Sequence, residues 1–445
     1  MSDTPPPAPI TPVRAADATW LNLDRPDNPL VIDALLLMQA GADIPAIIDR
    51  FVNRVVLTYP RFRQVVEAHG VTRTPVWRAV ELNLDDHLHE ARIADPGRRE
   101  DLWDTIGELL DARLELSRPL WSLTVIRGLA SGEVLLLFRA HHVIGDGMAM
   151  AQILLSVADE DDVPMPRPRG RIRPAGGDWT DRIIADLDTG VDAMRAATEL
   201  LSMSPDPPSI LSGPLAGTKR FAWSEPTPLA LIQAIRSQLG GTVNDVLVSA
   251  VAGALNAMGG EGVMPDVHAL VPVYLRPLHE PIPRDLGNHF APVFLRLPSR
   301  VADPAQRLER VRARSEALKN GQMPLVGAVG VQAMGFVPRL VEAAAVDFFA
   351  TRASLVLTNV PGPTDTVHVV GARIEDMVFF VPQPSSIGVG LSLFSYNGQV
   401  RMGVSVDAAR DIEPSALATA FTHALIALAA QAEQHATDRS PHEST

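Results

Sequence analysis

Ala140-His141-His142-Val143-Ile144-Gly145-Asp146-Gly147 joins a strand to a helix. The apolar run Val134 to Phe138 before it reads as a buried strand. Met148 to Leu155 after it reads as a helix, with Asp146 placed to cap its start. Two glycines let the chain turn sharply between the two. Side chains alternate faces along a strand, so His141 and His142 point opposite ways and only one enters a given cavity. A neutral imidazole, with an ordinary pKa of about 6.5, can accept the proton of an alcohol. Asp146 either pairs with a basic residue and fixes the loop, or simply caps the helix.

Two plainer readings compete with catalysis. A histidine pair at a strand end is often structural. A metal site is the other, but adjacent ligands on opposite faces suit it badly, and no H-E-x-x-H or cysteine cluster supports it. Both glycines and the strand-to-helix context favour a catalytic role. The H-H-x-x-x-D-G pattern resembles the acyl-transfer motif of the coenzyme A-dependent acyltransferase superfamily. Chloramphenicol acetyltransferases, peptide-synthetase condensation domains and bacterial wax ester synthases belong to it. The resemblance implies that His142 is the general base and that Asp146, followed by Gly147, is mainly structural.

The chain has 445 residues, 46% of them hydrophobic, enough for two domains or one large one. A formal net charge of −13 argues against nucleic acid as a partner. There is no cysteine, which excludes a thiol nucleophile, disulfides and thiolate metal sites. The proline-rich start carries no signal-peptide pattern, and no run of 18 apolar residues marks a membrane helix. A cytoplasmic protein is expected, with peripheral contact at the inner membrane face or at lipid droplets left open.

Residues 1–13 read as a disordered tail. Leu30 to Met38 is a strand, and Asp43 then caps a helix with Pro45 in its first turn. Val76 to Leu82 is another strand. Asp85-Asp86-His87-Leu88-His89 suggests a metal, but reads better as a solvated surface. Leu102 to Leu116 is an amphipathic helix. Strands 121–127 and 133–142 form an antiparallel hairpin that delivers the histidines. Residues 159–177, rich in proline, arginine and glycine, form a linker between an N-terminal domain, 14–158, and a C-terminal domain, 178–434. A helix is expected over 178–203.

Thr242 with Asp245 fits a capping box, a sufficient structural reason for Asp245. Asn244 has no such reason; donating its amide into a cavity and a plain helix-start role stand even. Val267 to Tyr274 and Phe290 to Leu297 are strands. Asp303 and Pro304 start a helix. Residues 324–349 are apolar and broken at Pro338 into two short helices. They read as ordinary core rather than as the wall of an acyl tunnel or a lipid-facing patch. Asn397-Gly398 between two apolar runs is a strong hairpin signal. Ile412 to Gln434 closes the fold as a helix, and residues 435–445 read as a second tail.

An ordered set of segments is similar to the bacterial wax ester synthase/diacylglycerol acyltransferase family. It comprises Arg118-Pro119-Leu120-Trp121, Asn244-Asp245, Val271 to Arg276, Gly287-Asn288, Thr358-Asn359-Val360-Pro361-Gly362-Pro363 and Ser395 to Gly398. The resemblance runs from about Ala15 to about Gln434. It implies an α/β fold of two chloramphenicol acetyltransferase-like domains, each a mixed sheet flanked by helices. An active-site channel lies between them, entered from opposite sides by acyl-coenzyme A and by the acceptor alcohol. No bound cofactor or metal is implied; acyl-coenzyme A is the substrate.

The expected reaction is direct acyl transfer to a fatty alcohol or diacylglycerol, making wax ester or triacylglycerol. With no cysteine and no G-x-S-x-G elbow, an acyl-enzyme is not favoured. Asn244 and Thr358 are the candidate oxyanion donors. Asp146 orients the loop, with Arg276 a candidate partner. His141 is structural or backs the catalytic group from behind, Pro119, Leu120 and Trp121 pack under the hairpin with Trp121 a candidate tunnel contact, and Asn359, Pro361 and Gly362 support the site. The rivals are a condensation-type enzyme with a different acceptor, and a non-catalytic lipid-binding relative. Oligomeric state is not readable from the sequence.

Overall fold

The computed structural model describes residues 10–67, 75–93, 99–160, 201–260, 264–276, 282–320 and 339–439, with the single residues 163, 198, 280 and 327. The N-terminal half runs β1 (Ile10–Pro12), α1 (Ala15–Leu23), β2 (Val31–Met38), α2 (Ile44–Phe51), β3 (Gln64–Glu67), β4 (Val76–Ala79), β5 (Leu88–Arg92), α3 (Arg99–Asp111), β6 (Trp121–Arg127), β7 (Val134–His141) and α4 (Gly147–Leu155). The C-terminal half runs β8 (Lys219–Trp223), β9 (Thr227–Pro228), α5 (Leu229–Leu239), α6 (Val243–Met258), β10 (Val267–Tyr274), β11 (Phe290–Leu297), α7 (Pro304–Asn320) and α8 (Arg339–Ala350). It continues through β12 (Leu355–Pro361), β13 (His368–Val369), β14 (Ala372–Phe380), β15 (Val389–Tyr396), β16 (Gln399–Asp407) and α9 (Pro414–Arg439).

Two mixed sheets organise these elements, as the resemblance implies. The first has the order β13-β14-β2-β7-β6-β5, with β5 and β6 parallel and the rest antiparallel. The hairpin of β6 and β7 is there, and β2 sits beside β7 with Val31 opposite His141. Every residue of β7 is buried, so its continuous apolar run reflects burial on both faces. The second sheet has the order β11-β10-β12-β15-β16-β8, with β9 also on β16; β12 is parallel to both β10 and β15. Asn397-Gly398 forms the tight turn joining β15 to β16, with both residues at positive φ.

The division of the chain at 159–177 is crossed by a pair of strands. Strands β13 and β14, from the C-terminal half, complete the N-terminal sheet, β14 pairing with β2 from Ile374↔Met38 to Phe380↔Asp33. The end of β14 lies against the second sheet. A side chain at Gly403 of β16 would collide with the Phe379 carbonyl of β14, so the missing Cβ allows that close approach. Most of the expected linker and of the helix over 178–203 lies outside the described residues, as does the stretch before Pro338 apart from Gly327.

Four boundaries move. Ile10–Pro12 is not tail but pairs with β4, and Val13 is buried. The helix expected at 102–116 spans Arg99–Asp111, leaving Leu116 exposed, and β4 stops at Ala79. The last helix continues to Arg439. By length and composition α9 could cross a membrane. Its stripe of Leu417, Phe421, Leu425 and Leu428 is instead buried in the core shared with α6 and the second sheet.

The second sheet positions the site through its period of two. Along β10, Val267 and Ala269 are buried against the helices, while Leu270, Pro272 and Tyr274 line a cavity. Along β11, Ala291 and Val293 are buried, while Phe290 and Pro292 face the same cavity. Pairing of β10 with β12 stops at Leu270↔Val356. Pro272 follows, and it has no N–H to offer a further rung. The sheet therefore parts at this point, between β10 and the Thr358-Asn359-Val360 segment of β12, which also lines the cavity.

Candidate active site

His142 continues the β7 ladder for one residue. Its N–H donates to the Leu30 carbonyl at 2.9 Å, so the alternation that turns His141 one way turns His142 the other. The His142 ring lines a largely apolar cavity that opens to solvent. Trp20 stacks on the ring at 4.2 Å between centroids and 16° between planes, and Phe290 leans on it at 5.6 Å. Nδ1 is buried without a hydrogen-bond partner, which leaves Nε2 as the nitrogen available to the cavity. Burial lowers the ring's pKa to about 4, His141 adds to that, and the residue's own carbonyl and Asn288 oppose it. The imidazole is therefore neutral at pH 7.

His141 faces away. Its Nδ1 accepts from Val143 N–H at 3.1 Å, and its Nε2 lies 3.5 Å from Asp24. Burial raises the Asp24 carboxyl, but His141, the Leu30 N–H and Arg113 outweigh it and hold the group below the usual carboxylate range.

Asp146 caps α4 by accepting the Ala149 N–H at 2.9 Å, and its other oxygen accepts the His289 N–H at 2.8 Å. Burial, reinforced by Asp17, raises its pKa to about 6, against the amides of Ala149, His289 and Met148. Arg276 is not its partner: that guanidinium reaches Glu280 at 3.3 Å. Two backbone N–H groups already hold the carboxylate, so no arginine is needed.

The His289 amide belongs to the loop from Leu286 to His289, which docks on the histidine loop. Gly287 N–H donates to Ile144 O at 2.9 Å, and Asn288 Nδ2 donates to His142 O at 2.8 Å. The same Asn288 gives its N–H and its Nδ2 to Asp17, at 2.8 and 2.9 Å. Arg14 donates to Asp17 at 2.9 Å and to Leu286 O at 2.7 Å. Helix α1 thus links the two halves of the chain beneath His142. His289 is held near pKa 4 by burial, with Arg14 and Arg276 adding to it.

Of the residues singled out from sequence, His142, Asp146, Gly147, Thr358 and Asn359 line the cavity together. Asn244 does not; its side-chain oxygen accepts from Asn359 Nδ2 at 3.0 Å. Asp245 completes the capping box with Thr242. Pro361 ends β12 beside Ser395, and Gly362 N–H donates to Ser395 Oγ. Leu120 is buried, and its carbonyl accepts from His141 N–H. Trp121 is no tunnel contact: it lies in the N-terminal core, donates to Phe62 O at 2.9 Å and stacks on His87 at 4.5 Å. His87 is correspondingly buried rather than solvated. Within α8, Val346 packs in the Trp20 cluster. Among the described residues no group of three His, Asp or Glu is arranged to hold a metal ion.

Sequence reasoning missed Arg14, Asp17 and Trp20, all at or in α1. The available signal was Asp17 and Trp20 three apart, on one face of a helix.

Comparison with known proteins matches this architecture. Residues 13–199 match the wax ester synthase/diacylglycerol acyltransferase catalytic domain, and residues 286–429 match the C-terminal domain of the same family. A Mycobacterium tuberculosis relative named tgs2, a diacylglycerol O-acyltransferase by its name, is 27% identical over 428 residues, 87% of this chain and 92% of that one. A second M. tuberculosis relative with the same kind of name is 27% identical over 440 residues, 87% of this chain and 84% of that one. The solved wax ester synthase/diacylglycerol acyltransferase of Marinobacter aquaeolei VT8 shares the fold, with a TM-score of 0.69 at 21% identity, over 95% of this chain and 100% of that one. The first condensation domain of the calcium-dependent antibiotic synthetase shares it too, at a TM-score of 0.61 and 16% identity, over 95% of this chain and 96% of that one. Two domain matches in order, around a histidine that faces a cavity between the sheets, establish that the chain belongs to the wax ester synthase/diacylglycerol acyltransferase family and is an acyltransferase.

Proposed function

We propose that the protein transfers a long-chain acyl group from acyl-coenzyme A to the hydroxyl of a fatty alcohol or diacylglycerol, with His142 as general base. The observation that carries this reading is a neutral imidazole on the wall of a large, mostly apolar cavity. The ring's lone pair is free at neutral pH, and apolar walls suit an alkyl chain. Nε2 takes the hydroxyl proton as the oxygen attacks the thioester carbonyl. The tetrahedral intermediate collapses, coenzyme A leaves, and Nε2 returns the proton to the thiolate. Such a base contributes about 10² to 10⁴ in rate.

Thr358 is the assigned oxyanion donor, since its side chain shares the cavity with His142. Asn244 acts on the site through Asn359. Asp146 keeps the loop in place and takes no proton. The family's relatives named for diacylglycerol support that acceptor class.

The test offers palmitoyl-coenzyme A with a panel of long-chain alcohols, diacylglycerol and amines, reading product mass and released thiol. The chain has no cysteine to raise the thiol background. Ester with alcohol or diacylglycerol supports the proposal. Amide alone points to condensation-type chemistry, and no product with any acceptor points to lipid binding without catalysis.

A further inference from the structure

A general base that works through an imidazolium usually has a carboxylate on its second nitrogen, which orients the ring and offsets the positive charge. His142 has none. Among the described residues no acidic oxygen lies within ion-pair distance of its ring; the polar groups that favour its protonated form are neutral, its own carbonyl and the Asn288 amide. The carboxylates nearest in the network face elsewhere. Asp146 holds the Ala149 and His289 amides, and Asp17 holds Asn288 and Arg14. On the ring's other strand neighbour, His141 is turned to Asp24. What does meet the His142 ring is the face of Trp20, near-parallel at 4.2 Å.

Trp20 is itself fixed. It is buried with Leu23, Leu30 and Val346, and α1 is anchored at Asp17 by Asn288 and Arg14. An indole face carries the negative pole of the ring quadrupole and attracts a cation placed over it, Trp more strongly than Tyr or Phe. The interaction is weak with neutral imidazole and grows as the ring takes a proton, so it acts on the transition state rather than on the resting enzyme.

We propose that Trp20 is a positioning residue for acyl transfer, its indole face holding the His142 ring in place and stabilising the imidazolium that forms during the reaction. The inference rests on the reading of His142 as general base. The proton leaves the acceptor hydroxyl for Nε2 as the new C–O bond forms and the carbonyl electron pair moves onto oxygen. The positive ring over Trp20 persists until the C–S bond breaks and the thiolate takes the proton back.

The test replaces Trp20 alone with mono-, di-, tri- and tetrafluorotryptophan by nonsense suppression, since the chain has six tryptophans. Fluorine drains the quadrupole at nearly constant size. Log kcat is expected to fall steadily across the series, by about 2- to 30-fold in total, with KM for both substrates unmoved. Trp20→Phe should lie within that range and Trp20→Leu below it. A flat kcat across the fluorinated series overturns the proposal, as does a fall confined to variants that also lose thermal stability. His142→Gln is measured alongside: an inactive His142→Gln with a flat series sinks this inference alone. Wild-type turnover in His142→Gln sinks the general-base reading beneath it.

Discussion

Asn288 Nδ2 donates a 2.8 Å hydrogen bond to the carbonyl of His142, so a residue from the C-terminal half fixes the backbone that aims the base. The same side chain reaches Asp17 at 2.9 Å. Asn288→Ala removes both side-chain donors: the buried His142 carbonyl loses its partner, while Asp17 keeps the backbone N–H of residue 288. An unsatisfied buried polar group costs about 1–3 kcal/mol, so the variant should be destabilised by an amount in that range. Its kcat should fall while KM changes little, because the loop is displaced and not the cavity. Urea unfolding and steady-state kinetics check both.

Gly287 sits at φ +95°, and a Cβ there would overlap the Arg14 guanidinium. Gly287→Ala therefore meets backbone strain and a clash at once, and about 1–3 kcal/mol of stability should be lost from the strain alone. Arg14→Ala in the same chain removes the worst overlap but neither the strain nor the close approach to Asp17 Oδ2. The double variant should melt above Gly287→Ala by less than the full loss, and additive melting temperatures would contradict this geometry.

Gly147 lines the cavity beside His142, and a Cβ there meets nothing within 4 Å. Its φ lies outside the left-handed region, so a side chain is not strained. Gly147→Leu should keep the melting temperature, since surface and void positions usually change stability by only about 0.5 kcal/mol. It should lower kcat/KM for long acyl chains more than for short ones, because the added side chain occupies their space. Equal losses at every chain length would place position 147 away from the chain's path.

The pH profile follows from burial of the base. His142 is active when neutral, and its pKa is lowered to about 4. The acid limb of kcat/KM should therefore fall near pH 4, with a plateau up through pH 7. A limb near 6.5 would mean a ring exposed to water. Stability runs the same way. His142 and His289, both near 4, bind protons more readily when unfolded between about pH 4 and 6.5, so each loses its contribution as pH falls through that window. Asp146, raised to about 6, opposes them between its ordinary 3.8 and 6, since the folded state there holds the extra proton. Two histidines against one carboxylate leave a net loss from these groups on acidification, readable as a lower melting temperature at pH 5 than at pH 7.

The legible parts of the chain were those where local physics decides. Continuous apolar runs marked β2 and β7, Asp43, Asp146 and Thr242 with Asp245 marked helix starts, and Asn397-Gly398 marked a turn. The histidine alternation followed from a strand period of two. The crossover of β14 onto β2 was not legible, because an apolar strand fits either sheet and only tertiary pairing chooses. Helix α1 was missed because its first turn has no side-chain cap and most of its residues are buried, so it lacks an amphipathic stripe. The role of Trp121 was misplaced for a related reason. Strand β6 is buried from Trp121 to Ile126, and sequence alone does not say which buried face borders a cavity. The Asp146–Arg276 pairing failed because backbone amides, which every sequence offers, met the carboxylate first.

The most direct measurement is turnover of palmitoyl-coenzyme A with a long-chain alcohol or diacylglycerol by His142→Gln, beside the wild type and with folding checked by circular dichroism. The account predicts a folded variant whose kcat falls by about 10² to 10⁴. A folded His142→Gln that makes ester at the wild-type rate would contradict it.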